Sequence, residues 1–210
     1  MIRSRVMQKS SAKPAKTKRE NKRLEILRSA AGAFRRRGYH GASMDDIAHS
    51  LRMTKGNLYY YFENKEDILY FCHDYSLGLI LDLLDQIEAS KKSPEDKLRE
   101  LIIAFVHMII DELHGVALTL DLQPLSPARL RTIIAKRDRF DRGIRRILSE
   151  GMNRHTFKRG DAKLLSFAIL GAVNWIARWF NPAGPAHSEE ISNTFANFLI
   201  SGLKSPRARP

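Results

Sequence analysis

The sequence predicts an all-α protein in which an N-terminal three-helix, helix-turn-helix head runs directly into a larger helical domain, about nine helices in all. Three observations carry this. No run of residues alternates apolar and polar as a half-buried strand would, whereas apolar residues recur at three- and four-residue spacing almost throughout. Cap residues punctuate the chain at helix-like intervals. Residues 43–62, SMDDIAHSLRMTKGNLYYYF, read as two short helices held across a tight turn.

The first helix spans about 20–37, with Leu24, Leu27, Ala30, Ala31 and Phe34 on one face and Gly38 ending it. Ser43 caps the second, Asp46 completes a capping box, and Ile47, Ala48 and Leu51 form the apolar side. Arg52 and Met53 make the turn. Thr54 caps a third helix that opens with Lys55, Gly56, Asn57, Leu58 and Tyr59. Its start is small, basic and hydrogen-bonding, and its end is aromatic. A helix entering a DNA major groove needs that distribution, with short polar side chains toward the bases and Tyr hydroxyls toward phosphates. A plain surface hairpin is the other reading of this segment taken alone.

Asn64, with Asp67 at the capping-box position, starts a helix to about 89 whose apolar surface includes Ile68, Leu69, Cys72, Leu79, Ile80, Leu83, Leu84 and Ile87. No Gly/Ser linker precedes it, so this helix joins the two halves mechanically. Ser93 and Pro94 open the next helix, to about 113, with Glu95 and Asp96 at its positive end. A short helix is expected at 116–122 before Pro124, and a long one from Ser126-Pro127 to about 152. Asp161 caps a helix to 180 that is apolar nearly all round, and a last helix spans 188–203. The expected organisation is a disordered basic arm over 1–18, a head over 19–63, a helical ligand-binding and dimerisation domain over 64–204, and a disordered tail over 205–210.

Charge is placed unevenly. Of a formal +13, residues 1–23 hold nine Lys and Arg against the single acid Glu20. An arm of that kind ahead of a DNA-reading head suits phosphate contacts, and it suits a solubilising tail equally well. No apolar stretch follows the basic N-terminus as in a signal peptide, and the ten-residue run 101–110, interrupted by His107, is too short to span a bilayer. The single cysteine, Cys72, excludes an internal disulfide and Cys-based zinc, and its apolar surroundings suggest a buried thiol. The reading is a cytoplasmic protein with no membrane contact. The seven histidines show no HExxH pattern, and there is no GxSxG elbow, phosphate-binding Gly loop or Cys-His pair. No enzyme activity, catalytic residue, metal site or cofactor is expected.

The head with Gly38-Tyr39, the turn motif and NLYYYFENKEDIL resembles the TetR family of transcriptional regulators over about residues 20–70. The resemblance implies DNA contacts from Lys55, Gly56, Asn57, Tyr59 and Tyr61, flanked by Met44 and Lys65, with Thr54 capping the reading helix and Tyr60 placed between contact and packing. Chemistry agrees: Asn57 suits adenine or a phosphate, Lys55 suits guanine or a phosphate, and Gly56 permits close backbone approach. Leu58 and Phe62 fit the packing of the head.

A helix without a polar face must be covered on both sides, so 161–180, with 188–203, predicts a four-helix seam between two copies. The same homodimer is implied by the resemblance, and its two-fold symmetry suits a palindromic double-stranded operator. Gly171-Ala-Val-Asn-Trp-Ile-Ala-Arg-Trp-Phe-Asn-Pro-Ala-Gly184 looks like the NW..RW(Y/F).P.G pattern of a TetR branch that senses acyl-CoA thioesters of fatty-acid, steroid and aromatic-acid catabolism. Phe180 stands where Tyr is usual, and Ala183 where Asp is common. Ligand candidates are Phe71, Tyr75, Phe105, Met108, Ile109, Asn174, Trp175, Arg178 and Trp179. Arginines over 128–150 form a basic face, a few of which suit the phosphates of CoA. The expected protein is therefore a repressor released from DNA by a small hydrophobic effector, such as an acyl-CoA. A drug-responsive regulator of efflux genes and a non-specific DNA-organising protein are the alternatives.

Overall fold

The computed structural model describes residues 17–112 and 122–204. Nine helical elements occur among them: α1 (Lys18–Gly41), α2 (Met44–Ser50), α3 (Lys55–Tyr59), α4 (Lys65–Ala89), α5 (Pro94–His107), a π-helical turn (Met108–Glu112), α6 (Pro127–Asn153), α7 (Ala162–Trp179) and α8 (Ser188–Leu203). The only β-pairing among the described residues is an isolated bridge between Phe157 and Lys204.

The caps fall largely where the sequence placed them. Ser43 and Asp46 form the expected reciprocal box at α2, and Thr17 and Glu20 form a further one, not anticipated, at α1. Asn64 accepts from the Asp67 amide, Ser93 from the Asp96 amide, and Asp161 from the Lys163 and Leu164 amides. Each satisfies N–H groups that the first helical turn leaves without partners. Ser126 before α6 and His187 before α8 are exceptions, because their side chains make no cap bond.

Three boundaries differ from expectation. Helix α1 starts at Lys18, and beyond Gly38 (φ 68°) a further turn reaches Gly41, closed by the Ala42 amide donating to the Gly38 carbonyl at 3.2 Å. Glycine tolerates this positive φ without a Cβ penalty. Helix α5 stops being α-helical at His107 and continues as the π turn. The short helix expected over 116–122 falls mostly outside the described residues; Leu122 to Ser126 form a turn, with the Leu125 amide on the Leu122 carbonyl at 3.0 Å. The expected arm and tail also lie outside them, apart from residues 17 and 18.

The head is α1–α3 closed on the start of α4. Ile26, Leu27, Ala30, Phe34, Ile47, Leu58 and Phe62 are all sealed from solvent there. In the body, α5 packs on α8, α4 and α6, and α6 in turn on α4 and α7. Phe105 of α5 meets Phe140 of α6 edge-on at 5.1 Å between ring centroids. Helix α6 approaches α4 closely at Gly143, where a Cβ would sit 2.8 Å from Leu84 Cδ1. Gly143→Ala is therefore expected to lower stability by about 1–3 kcal/mol through overpacking. Gly78→Ala, whose Cβ would meet nothing within 4 Å, is expected to gain about 0.5–1 kcal/mol. Urea unfolding of both variants checks the pair.

Candidate DNA-reading head and effector body

The turn between α2 and α3 is built by backbone bonds. The Met53 amide donates to the Ala48 carbonyl at 2.9 Å, and Arg52 takes a left-handed conformation (φ 52°). Asp46 anchors the N-terminus of α2: its carboxylate accepts from the Ser43 hydroxyl (2.8 Å), the Ser43 amide (2.9 Å) and Arg37 Nη1 (2.6 Å). Those Ser43 bonds, with Arg37 third, hold its carboxyl down at about 2. Leu58 and Phe62 pin α3 to the core, so the opposite side of the helix is presented outward.

That outward side carries Lys55, Gly56, Asn57, Tyr59 and Tyr60, all exposed, with Tyr61 half-buried behind them. Thr54 Oγ1 accepts from the Asn57 amide at 3.2 Å, so the predicted cap is made. A Cβ on Gly56 would meet nothing within 4 Å. No packing inside the molecule requires a glycine there. Lys55 Nζ lies 3.0 Å from Asp45 Oδ2, an exposed pair that a phosphate can replace at little cost.

Two predicted flanking contacts are placed differently. Met44 is packed into the head, 9% exposed, because it stands on the same side of α2 as Ile47 and Ala48. Lys65 directs its ammonium back into the head, donating to the carbonyls of Tyr39 (2.6 Å) and Ala42 (2.8 Å) and lying over the Tyr39 ring. Its charge is absorbed by the carbonyl end of α1. Lys65 in this structure is a strut.

Head and body meet along α4. The Arg23 guanidinium of α1 lies over Phe62 (4.7 Å) and Phe71 (4.2 Å), and Phe71 continues to Tyr75. At the first turn of α4, Glu66 Oε1 accepts from the Ser126 amide at 2.8 Å, and Arg129 Nη2 donates to Asp67 Oδ1 at 2.9 Å. The Ser126 bond, ahead of Arg129, pulls the Glu66 pKa down. Sequence reasoning missed Arg23, Glu66 and Asp67 as junction residues, since each reads as an ordinary surface charge or cap in its own helix.

The nine ligand candidates divide into two groups. Phe105, Met108 and Ile109 are buried, and Phe71, Tyr75 and Asn174 half-buried; Asn174 Oδ1 is sealed from solvent with no hydrogen-bond partner. Trp175 (64% exposed), Arg178 and Trp179 face outward on α7 instead, together with Leu164, Phe167 and, from α8, Phe198 (78% exposed). Residues at 164, 167, 171, 175 and 178 lie on one helical stripe. That stripe is turned away from Val173 and Ile176, which fill the core.

The basic face of α6 is largely committed to α4. Arg129 pairs with Asp67, Lys136 with Asp74 (2.5 Å), Arg139 with Asp85 (2.7 Å) and Arg146 with Glu88 (2.8 Å). Cys72 is buried, and burial pushes its thiol up to about 12, which leaves it inert. Among the described residues no cluster of His, Cys, Asp and Glu is arranged to hold a metal, and no helix is long and apolar enough to cross a membrane.

A helix-turn-helix whose second helix offers an outward polar face, carried on a helical body, defines a DNA-binding transcription regulator. The chain belongs to the TetR family. Residues 26–70 match the model for bacterial regulatory proteins of the tetR family, and 91–203 match the tetracyclin repressor-like C-terminal domain. It is 26% identical over 186 residues to the HTH-type transcriptional repressor KstR2 of Mycolicibacterium smegmatis, covering 87% of this chain and 91% of that one. To the fatty acid metabolism regulator protein of Bacillus subtilis it is 25% identical, over 87% of this chain and 95% of that one. Among solved structures, AibR in complex with isovaleryl coenzyme A and operator DNA superposes with a TM-score of 0.74 at 26% identity, covering 85% of this chain and 98% of that one. Proteins of this family are regulators and not enzymes.

His73 gives the body a distinctive acid response. It is 1% exposed, and burial, reinforced by the charge of Arg137, pushes its pKa down to about 3 from 6.5. The folded state keeps it neutral while the unfolded chain takes up a proton below pH 6.5. Its contribution is therefore whole above pH 6.5 and is lost progressively as pH falls toward 3. Between pH 7 and pH 5 the expected loss is about 2 kcal/mol. His73→Leu is expected to remove that part of the slope, read as the difference in urea unfolding free energy at the two pH values.

Proposed function

We propose that the protein is a homodimeric repressor that binds a palindromic operator through its heads and leaves it when an acyl-CoA thioester occupies the body. In this reading residues 19–63 bind DNA, residues 64–204 bind effector and form the dimer, and the protein acts in the cytoplasm. The observation that carries it is the pair of faces left open by the subunit. One is the polar face of α3, and the other is the apolar face of α7 and α8 bearing Leu164, Phe167, Trp175, Trp179 and Phe198.

An apolar stripe of large side chains is costly to leave in water, and a second copy in two-fold relation covers it with the same stripe. Trp175 and Trp179 then belong to the subunit seam, with Arg178 beside it to meet the anionic end of a ligand. Phe71, Tyr75, Phe105, Met108, Ile109 and Asn174 line the inner route for the acyl group. On the DNA side, Lys55, Asn57, Tyr59 and Tyr61 contact bases and phosphates, Gly56 admits the backbone, Thr54 holds the helix start, and Tyr60 flanks them. The similarity to KstR2, a transcriptional repressor, and to AibR, solved in complex with isovaleryl coenzyme A and operator DNA, supports this reading.

A cationic drug is a poorer fit to the body. The α4 acids Asp67, Asp74, Asp85 and Glu88 are already neutralised by α6 cations. A protein that merely organises DNA would have no use for a body larger than the head.

Fluorescence anisotropy on labelled DNA from the protein's own upstream region, titrated with acyl-CoA thioesters and the matching free acids, tests the proposal. Release by a thioester is the expected result; tight binding that no thioester relieves contradicts the effector half. Gly56→Ala is expected to weaken operator binding at least tenfold while leaving thermal stability equal or higher, because its cost falls only on the DNA interface. Trp175→Asp is expected to sediment as a folded monomer and to lose operator affinity, since one head reads only a half-site.

A further inference from the structure

The two acids in the first turn of α2 have different duties. Asp46 closes the capping box with Ser43 and holds Arg37, so folding accounts for it. Asp45 takes no part in that cap. Its carboxylate leans across the turn to α3 instead, where Oδ2 accepts from Lys55 Nζ at 3.0 Å. The helix dipole favours any acid in a first turn, but it does not require one that reaches the neighbouring helix. Both side chains stay well exposed, 63% for Asp45 and 58% for Lys55, so the pair contributes little to stability. They also line an open recess of about 600 Å³ between α1 and the turn motif, which leaves them within reach of an outside partner.

The exposed face of α3 carries no acid of its own. Breaking the pair costs little, but a phosphate that took Lys55 would leave Asp45 facing the negative backbone. The edge of a base pair can satisfy both groups at once. In the major groove guanine shows two acceptors, O6 and N7, and cytosine shows its N4 amino donor. O6 and N4 are hydrogen-bonded to each other, about 2.9–3.0 Å apart. The ammonium and the carboxylate stand 3.0 Å apart with the opposite polarity. Set edge to edge, the ammonium meets O6 and N7 while the carboxylate accepts from N4. A T·A pair in the same place also offers a carbonyl and an amino group. However, it puts the thymine methyl where the ammonium finds N7, and the adenine N7 lone pair beside the carboxylate.

We propose that Asp45 is a base-reading residue which, with Lys55, selects one G·C pair in each operator half-site, the carboxylate on cytosine and the ammonium on guanine. This rests on the operator-binding reading above and deepens it by naming a base pair and the residue that selects it. The contact is made by side chains of both helices of the turn motif, so it also fixes how α2 and α3 sit together on the groove. The acid has a second effect of the same sign. On unrelated DNA no cytosine amino group meets it, and its charge opposes binding there. A chain of formal charge +13 is drawn to any duplex, and such a penalty sharpens its discrimination.

The test uses the full-length protein as wild type, Asp45→Ala and Asp45→Asn. Wild type first selects its site from a random-sequence duplex library. Anisotropy then reads the affinity of each protein for that site, for the site with each base pair exchanged, and for an unrelated duplex. Wild type is expected to prefer G·C over T·A by about tenfold or more at one position of each half-site. Asp45→Ala is expected to lose that preference at that position alone, to bind the unrelated duplex more tightly, and to melt with the wild type. Asp45→Asn is expected to accept T·A there, because an amide suits adenine N6 and N7. Tighter binding of Asp45→Ala to every duplex, with all preferences kept, assigns Asp45 to charge balance and overturns the base contact. An unchanged profile in both variants overturns it too, and either result leaves the operator reading standing. A lower melting temperature with preferences weakened at every position assigns the residue to folding of the head and also overturns the contact. A wild type that selects no common site overturns the operator reading, and the base contact falls with it.

Discussion

The first turn of α4 is the joint on which the rest of the molecule depends. Within four residues it binds both halves: Asn64 caps the helix, Lys65 reaches back to the carbonyls of Tyr39 and Ala42, and Glu66 and Asp67 reach forward to Ser126 and Arg129. The two directions are chemically distinct. A cation is drawn into the carbonyl end of α1, where the helix dipole favours it, and two carboxylates take donors from the start of α6. The head therefore has no independent swivel. Any displacement of α6 or of α4 in the body is felt at the turn that fixes the reading helix, and Arg23, stacked between Phe62 and Phe71, stiffens the same junction from the side.

Electrostatics in the body follow from this joint. Helix α6 is strongly basic and α4 offers acids in step with it, at Asp67, Asp74, Asp85 and Glu88. Individually such partly exposed pairs contribute little, about 0–1 kcal/mol each. Their spacing fixes the register of the two helices more than their strength does. Gly143 adds a steric constraint of the same kind by allowing α6 to close on Leu84. A register set by several weak pairs and one close contact can shift between nearby arrangements, as the proposed response to an effector requires.

Much of this was legible in the sequence. The caps at Ser43, Asn64, Ser93 and Asp161 and the turn at Arg52 are local features, decided by residues three or four apart, and they occur as read. The family resemblance over residues 20–70 was equally local, because the head packs mostly on itself. Features spanning many residues were harder to read. The basic face of α6 read as a solvated or phosphate-binding surface because its acids are more than fifty residues away on α4. Met44 and Lys65 read as flanking contacts because sequence fixes their position along a helix but not the neighbour they turn toward. Trp175, Arg178 and Trp179 could not be separated from the inner ligand candidates, since a helix apolar all round carries no mark of which side meets its own core. His73 is the instructive miss: a titratable residue on the stripe of Leu69, Leu77 and Ile80 was visible, but its lack of a partner is a three-dimensional fact.

Coupling of the proposed effector site to the operator site through α4 makes the two binding equilibria depend on each other. Isothermal titration would compare dodecanoyl-CoA binding to the free protein and to the protein saturated with operator DNA. Coupling requires the effector to bind the DNA-loaded protein more weakly, by the same factor with which it loosens DNA from the protein. Equal affinity for the two forms would mean that the body and the head do not communicate, and would contradict the role assigned to the α4 joint.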